Sequence, residues 1–382
     1  MDWVDVMKRY VPRRLRHTVQ RFVSLSDVKM RYSERRDQFA AVQRSDENRL
    51  PRFVRAGVVK NRAHYHRHHV AACLELGVPF QVIDIVRDDW LDVIRELAPD
   101  LLLAWPDATM TTRAKLIKDR LDILERDLDQ LVVPRSEERW LYEDKARLAD
   151  WLRLHGIPHA RTWSFVDRAE ALEFASSCEL PIVFKTGFGA AAAGVRVLRR
   201  RRDVFGIARR VFDRGVVPSG HERRDRQWGV LLLQRYVDVQ REWRIVRLGE
   251  RFSCRLKSRL GDFHSGSGLI GYAEPPVAVL DFARLVTEVR GFSSMAVDVF
   301  EKDDGGLLVN ELQAVFGARE IPDSAPGSEW RGWWRHDAAS GSWRFERGQA
   351  YRNACANERL EHALSLVGVH IDIGDTACPP GA

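Results

Sequence analysis

The sequence predicts an α/β domain followed by a mixed α+β region in two parts. Three observations carry this reading. Strand and helix patterns alternate between residues 55 and 135. A strand ending in lysine opens a glycine- and alanine-rich hairpin at 181–198. A second hairpin, at 297–313, brings two carboxylates to one face.

The first domain reads as repeated β/α units. AGVVK, PFQVIDI, DLLLAWP and QLVVP are the strands, and HHVAACLELG, WLDVIREL and TRAKLIKDRLDILERDL the helices between them. Gly77 closes the first helix as a glycine C-cap. Alternation of this kind implies a small parallel sheet covered by helices. Ligands on such sheets gather at the carboxyl ends of the strands. Asn61, His64, His66, His68 and His69 follow the first strand at that end. No acid or cysteine nearby completes a metal set. The cluster reads as polar helix-start residues, or as an anion contact through His64 or Asn61.

PIVFKTGFGAAAAGVRVL, residues 181–198, is a strand, a loop and a return strand. Small residues let backbone N–H groups approach an anion closely, and Lys185 adds a point charge. The GxxxxGK[ST] order of a P-loop is absent. REWRIVRLGERFSCRLKSR, residues 241–259, is a second hairpin, turning at Gly249-Glu250. Arg255 and Lys257 lie two apart and share a face, with Arg244 a further basic candidate. Ser265 to Gly268 read as a substrate-covering loop or a plain linker.

In VDVFEKDDGGLLVNELQ, residues 297–313, β-forming residues flank Asp-Asp-Gly-Gly turn chemistry. With Asp304 and Gly305 at the centre of the turn, Asp298 falls directly opposite Glu311. Gln313, two residues on, points to the same face. Two acids and an amide oxygen make a hard-cation site suited to Mg²⁺ or Mn²⁺ holding phosphates. The alternative is two exposed acids near a turn.

The ends of the chain differ from this pattern. Met7, Val11, Leu15, Val19, Phe22 and Val23 recur at helical spacing among arginines and lysines, with Pro12 interrupting. A basic helix over residues 4–23 either lies on an anionic membrane surface or packs its apolar stripe on the protein's own core. Trp330, Trp333, Trp334 and Trp343 are either a ligand platform or core. A final helix follows, with Asn357 as its cap and a Gly/Pro-rich tail after it.

Composition fits a cytoplasmic enzyme. A chain of 382 residues can bury a large core and divides into two or three domains. Its five cysteines form no CxxC pair, which argues against a disulfide framework or a zinc site. No apolar run reaches transmembrane length, and no signal-peptide pattern opens the chain. The formal charge of +7 fits nucleic acid, anionic membrane or anionic substrate without choosing among them.

The order of these pieces resembles the ATP-grasp superfamily over roughly residues 140–320, with a preceding domain at about 55–135. DKARLADWLRLHGIPHART looks like the helix that opens the family's nucleotide domain, and VFKTGFGAAAAG like its second lysine and phosphate flap. LLLQRYV resembles the interdomain hinge, and VDVF with LVNELQ the two metal-ligand strands. The resemblance implies nucleotide contacts at Lys145, Lys185, Gly187, Gly189, Gly194, Gln234, Tyr236, Val237 and Glu242. It implies metal ligands at Asp298, Glu311 and Gln313, and catalytic charge at Arg255 and Lys257. Gln313 stands where the family commonly has asparagine. The implied layout is a basic helical segment at 1–50, an α/β pre-ATP-grasp domain at 51–138 and a nucleotide subdomain at 139–230. A metal-binding subdomain at 231–365 and a tail at 366–382 complete it.

The chemistry implied is carboxylate–amine ligation through an acyl phosphate, with ATP converted to ADP and phosphate, as in D-alanine–D-alanine ligase or glutathione synthetase. Its partners are small-molecule, peptide or glycan-linked carboxylates and amines. A kinase of the same fold is the alternative reading. A nucleic-acid-binding protein is the third, and with no recognised motif for it no nucleic acid is expected.

Overall fold

The computed structural model describes residues 38–371, apart from 109, 190–193, 219–223, 240, 260–269, 317–320 and 323. The basic helix expected at 4–23, the centre of the glycine/alanine flap, the loop Ser265–Gly268 and the end of the tail lie outside the described residues.

Three sheets organise the chain. The first contains β1 (Arg44–Ser45), β2 (Ala56–Val59), β3 (Phe80–Ile83), β4 (Leu101–Leu103) and β5 (Val132–Val133), in the order β1-β3-β2-β4-β5. Pairs β2/β3, β2/β4 and β4/β5 are parallel, and only the edge pair β1/β3 is antiparallel. Helices Arg67–Leu76, Trp90–Leu97 and Thr111–Asp127 supply the crossovers. The first of them ends at Gly77 with φ +63°, and that left-handed residue closes the helix as expected.

The second sheet holds β6 (Thr162–Phe165), β7 (Ile182–Lys185), β8 (Val195–Leu198) and β9 (Leu231–Arg235), in the order β6-β9-β7-β8. It reaches to Arg235, past the expected boundary at 230, because β9 pairs with both β6 and β7. Helices Arg168–Ser177 and Arg201–Asp213 cover one face of this sheet, where Phe165, Phe184, Leu231 and Leu233 meet Ala171, Val204, Ile207 and Val211.

The third sheet contains β10 (Arg241–Leu248), β11 (Arg251–Lys257), β12 (Ile270–Gly271), β13 (Ser294–Glu301), β14 (Leu307–Gln313), β15 (Gly332–Asp337) and β16 (Ser342–Arg347). Its main order is β14-β13-β10-β11-β15-β16. Alternation sorts its side chains. Trp243, Ile245, Phe252, Cys254, Val297, Val299 and Leu312 form the largest core with helix Val277–Glu288. The opposite face carries the charged residues.

The carboxyl-terminal segment departs from the expectation. Helix Ala356–Leu366 packs Leu360, Ala363 and Leu364 against the first domain, among Val70, Phe80 and Leu101. Its cap is Cys355, whereas Asn357 lies within the first turn and donates to Glu75 Oε2 at 2.9 Å. Trp333 and Trp334 are buried, and Trp330 stacks on Trp334 with ring centroids 6.0 Å apart, so the tryptophans form core. No helix among the described residues is long and apolar enough to cross a membrane.

Candidate active site

The carboxylate hairpin β13–β14 positions one wall of the site. Asp298 pairs with Glu311, as the sequence suggested, but by another route. Lys302 N donates to Gly306 O at 3.0 Å and Gly305 N to Lys302 O at 3.0 Å, so three residues form the loop. Gly305 takes the left-handed conformation with φ +77°. That loop alone would set Asp298 opposite Asn310. A register shift between Asp298 and Val299 inserts one extra residue on β14 and restores Glu311.

One face of the third sheet gathers Glu242, Arg244, Arg255, Lys257, Asp298 and Glu311. Asp298, 1% exposed, receives Arg244 Nε on Oδ1 and Nη2 on Oδ2, both at 2.8 Å. Lys257 Nζ donates to Asp298 Oδ2 and to Glu242 Oε1, each at 2.6 Å. Burial alone would raise the Asp298 pKa. The adjacent Arg244 and Lys257 charges and their hydrogen bonds instead hold it well below the carboxylate range. Glu242, expected among the nucleotide contacts, is thus buried against Lys257 and also accepts from Asn310 Nδ2 at 3.4 Å. Arg255, expected to supply catalytic charge, lies with its guanidinium 3.7 Å from the Tyr351 ring centre and donates to Tyr272 Oη at 3.2 Å.

The second sheet supplies the opposite wall. Lys145, Lys185, His159, Thr162, Gln234 and Asn310 line one cleft. Lys145 opens the helix Lys145–Leu154, which Asp144 caps by accepting from Arg147 N. Its Nζ donates to Gly189 O at 2.9 Å and lies 3.6 Å from Glu311 Oε1. Lys185 Nζ donates to Asn310 Oδ1 at 3.3 Å. Burial pushes its pKa down to about 8, with Lys145 adding to the effect and Glu311 and Glu242 opposing it. Gln234 donates to Thr162 Oγ1 at 2.9 Å, which fixes its amide at the cleft. Tyr236 and Val237 follow directly, both half-buried.

Gly187, Gly189 and Gly194 serve the loop in different ways. Gly187 O accepts from Lys145 N, and Gly194 O accepts from Thr186 N, closing the hairpin at its base. A Cβ at Gly194 would meet Thr186 Oγ1 at 1.8 Å, so only glycine fits there. Gly189 N donates to Glu143 Oε2 at 3.2 Å.

The solved structures are informative at this point. N5-carboxyaminoimidazole ribonucleotide synthetase in its ADP complex is 16% identical, with a TM-score of 0.51, covering 75% of each chain. The carboxyaminoimidazole ribonucleotide synthase of Aspergillus clavatus complexed with ATP is 13% identical, with a TM-score of 0.52. That match covers 82% of this chain and 77% of the other. The chain has the ATP-grasp fold. No protein-family model and no curated protein matches it.

Within this ATP-grasp fold, two site residues carried no sequence signal. Asn310 reaches the cleft because the bulge turns it inward. Glu143 is a half-buried carboxylate whose pKa is raised by desolvation and by Glu311, with Lys145 opposing. Its φ of +55° sets it before the Asp144 cap, and no pattern in the sequence announces that conformation.

The donor set also bears on a metal. Among the described residues no group of three His, Cys, Asp or Glu side chains is arranged to hold one. The candidate set therefore needs the amide of Gln313, whose Oε1 is buried without a hydrogen-bond partner. A carboxylate offers about four lone-pair positions, and Asp298 uses three on Arg244 and Lys257. Glu311, Gln313 and the remaining position on Asp298 Oδ1 fit a hard cation in chemistry.

At the head of the histidine cluster, Asn61 bonds within the protein. Asn61 Nδ2 donates to Trp105 O at 2.9 Å, and Asn61 Oδ1 accepts from Ala63 N at 2.7 Å. Its backbone N donates to His66 Nδ1 at 3.2 Å. His69 is wholly buried, which lowers its pKa well below the ordinary value, with Arg359 adding to the effect.

Proposed function

We propose that this chain is an ATP-dependent carboxylate–amine ligase. Supporting this is one observation above the others: Lys145, Lys185 and Glu311 meet at a single cleft between two antiparallel sheets of the ATP-grasp fold. Lysine cations at the mouth of a small-residue loop suit phosphates. Gln234 and the Tyr236–Val237 backbone follow at the end of the cleft expected to hold adenine.

The acceptor carboxylate oxygen attacks the γ-phosphorus of ATP, and the bond to ADP breaks, giving an acyl phosphate. An amine nitrogen then attacks the acyl carbon. Phosphate leaves, the nitrogen releases its proton to solvent, and an amide remains. Lys145 and Lys185 hold and orient the phosphates, while the buried face of the third sheet excludes water. Mg²⁺, held by Glu311 and Gln313 with Asp298, would neutralise phosphate charge. Asp298, Arg244, Lys257 and Glu242 keep that sheet face rigid.

Hydroxylamine tests the reaction type. With ATP and a pool of amino acids and other small carboxylates, the enzyme should accumulate a hydroxamate in step with ADP release. A phosphorylated alcohol without hydroxamate would establish the kinase of the same fold.

The second test concerns Lys185. Lys185→Ala should weaken ATP binding more than ADP binding, as read by calorimetry. The wild-type lysine loses its proton as pH rises through about 8, so ATP affinity should decline above that pH. Lys185→Arg should flatten the decline, because guanidinium stays charged. Equal loss of ATP and ADP in the alanine variant would place the lysine away from the terminal phosphate.

A further inference from the structure

One stretch in the second half of the chain is strongly basic. Residues 196–226 hold eleven of its 61 basic residues and four of its 54 acidic ones. Its net charge is +7, whereas the other 351 residues hold fifty of each sign. The fold places it on helix Arg201–Asp213 and the segments flanking it. That helix buries Val204, Ile207, Ala208 and Val211 on one face of the second sheet. The ATP-grasp cleft, with Lys185, Leu232 and Gln234, lies on the other face. The charge on the helix is therefore separated by the sheet from the cleft.

The surface here is concave. A groove of about 590 Å³ is lined by Arg209, Arg210, Arg214 and Arg226, all exposed, with Gly206 and Asp213 among the other lining residues. Asp213 is drawn toward Arg168, at 3.6 Å. Gly206 stands in the helix interior, where glycine costs about 1 kcal/mol relative to alanine. Nothing lies within 4 Å of the Cβ it lacks, so packing does not explain the glycine. Its absence of a side chain leaves the floor of the groove open between Arg202 and Arg210, one turn to either side. Beside the groove, Trp228 is 68% exposed, and its indole nitrogen donates to Phe212 O at 2.7 Å. The ring is thus pinned by its polar edge with most of its surface in solvent.

Arginines near a helix C-terminus also compensate its dipole. That accounts for Arg209, Arg210 and Arg214, but not for Arg196, Arg199, Arg200, Arg202, Arg224 and Arg226, which are exposed as well. We propose that this groove binds single-stranded nucleic acid, with phosphates on Arg209, Arg210, Arg214 and Arg226 and a base stacked on Trp228. A basic groove beside a fixed, exposed aromatic ring is the arrangement such strands require. A flat bilayer surface makes no use of a concavity, and an acidic peptide makes none of a stacking ring. The inference stands apart from the ligase reading and holds or fails independently of it.

Fluorescence anisotropy with labelled single-stranded RNA and DNA oligomers of mixed sequence tests it on the full chain. Four phosphate contacts predict a slope of about −3 in log affinity against log salt, or roughly fifty-fold weaker binding at 200 mM than at 50 mM. Arg209→Glu with Arg226→Glu should at least halve that slope. Trp228→Ala should weaken binding about tenfold while leaving the slope unchanged. All three positions are exposed, and a thermal melt verifies the fold of each variant. Absence of binding at 50 mM salt, or indifference to the charge reversals, overturns the proposal. So does polyglutamate competing as well as the oligomers with Trp228→Ala neutral. Charge-dependent binding to phosphatidylserine vesicles without binding to oligomers would assign the groove to a membrane instead.

Discussion

Asp298→Asn is expected to cost far more stability than Glu311→Gln, although both should stop ATP turnover. Asp298 accepts from both Arg244 and Lys257; it is buried with Lys257, while Arg244 is 19% exposed at its side chain. The amide keeps the shape but removes the charge, leaving the buried Lys257 and the half-buried Arg244 with Glu242 as the nearest compensation. Breaking a buried pair from one side costs about 3–5 kcal/mol. At roughly 1.2 °C per kcal/mol for a chain of 382 residues, the melting temperature should fall by about 5 °C. Glu311 is 21% exposed at its side chain, and its contact with Lys145 is long, at 3.6 Å. A surface-accessible pair of that kind contributes about 1 kcal/mol or less. Glu311→Gln should therefore melt near the wild-type temperature and still fail to release ADP. Paired melting and turnover measurements separate the two roles. Equal melting temperatures would show that Asp298 is not the keystone of the charged face. Near-normal turnover in Glu311→Gln would remove that residue from the metal site.

Period-two alternation assigns Glu311 and Gln313 to one face, and the two-residue turn read from the sequence set Asp298 there with them. The turn that forms was not legible in the sequence. A three-residue loop and a bulge each displace the register by one, and the two displacements cancel at Asp298. Asn310 was missed because a bulge has no sequence signature of its own. Glu143 was missed because its placement depends on a left-handed backbone at a non-glycine residue. The β/α units of the first domain were readable because each strand and helix carries its own periodicity and Gly77 marks a boundary. The docking of helix Ala356–Leu366 onto that domain was not, since the helix's apolar stripe does not say which core it will enter. Composition reported +7, but only the fold separates the helix face bearing that charge from the cleft behind the sheet.

Arg255 shows the same limit and yields the second large effect. Alternation places it correctly on the face shared with Lys257, and charge type suggests a group facing phosphate. The structure surrounds it instead with Tyr272 and Tyr351, fully buried, with the guanidinium against one ring and bonded to the other's hydroxyl. Tyr272 directly follows β12, and Tyr351 precedes the helix that docks on the first domain. Arg255 therefore ties both segments to β11. A desolvated cation–π contact is worth about 2 kcal/mol or more, and the stem adds packing that alanine cannot replace. Arg255→Ala should lower the melting temperature by several degrees and reduce turnover through that loosening. Arg255→Lys should not restore stability, because a compact ammonium cannot lie flat on Tyr351 while reaching Tyr272. Arg244 on β10 lies directly opposite Arg255 on β11, and two like charges so placed repel. Arg255→Met, which keeps much of the volume and removes the charge, should accordingly be more stable than Arg255→Ala. If turnover collapses in Arg255→Ala while the melting temperature stays at the wild-type value, Arg255 acts on the reacting phosphate directly, as its charge and strand position first suggested. Loss of both together, with partial recovery in Arg255→Met, makes it a positioning residue that holds the wall of the site in place.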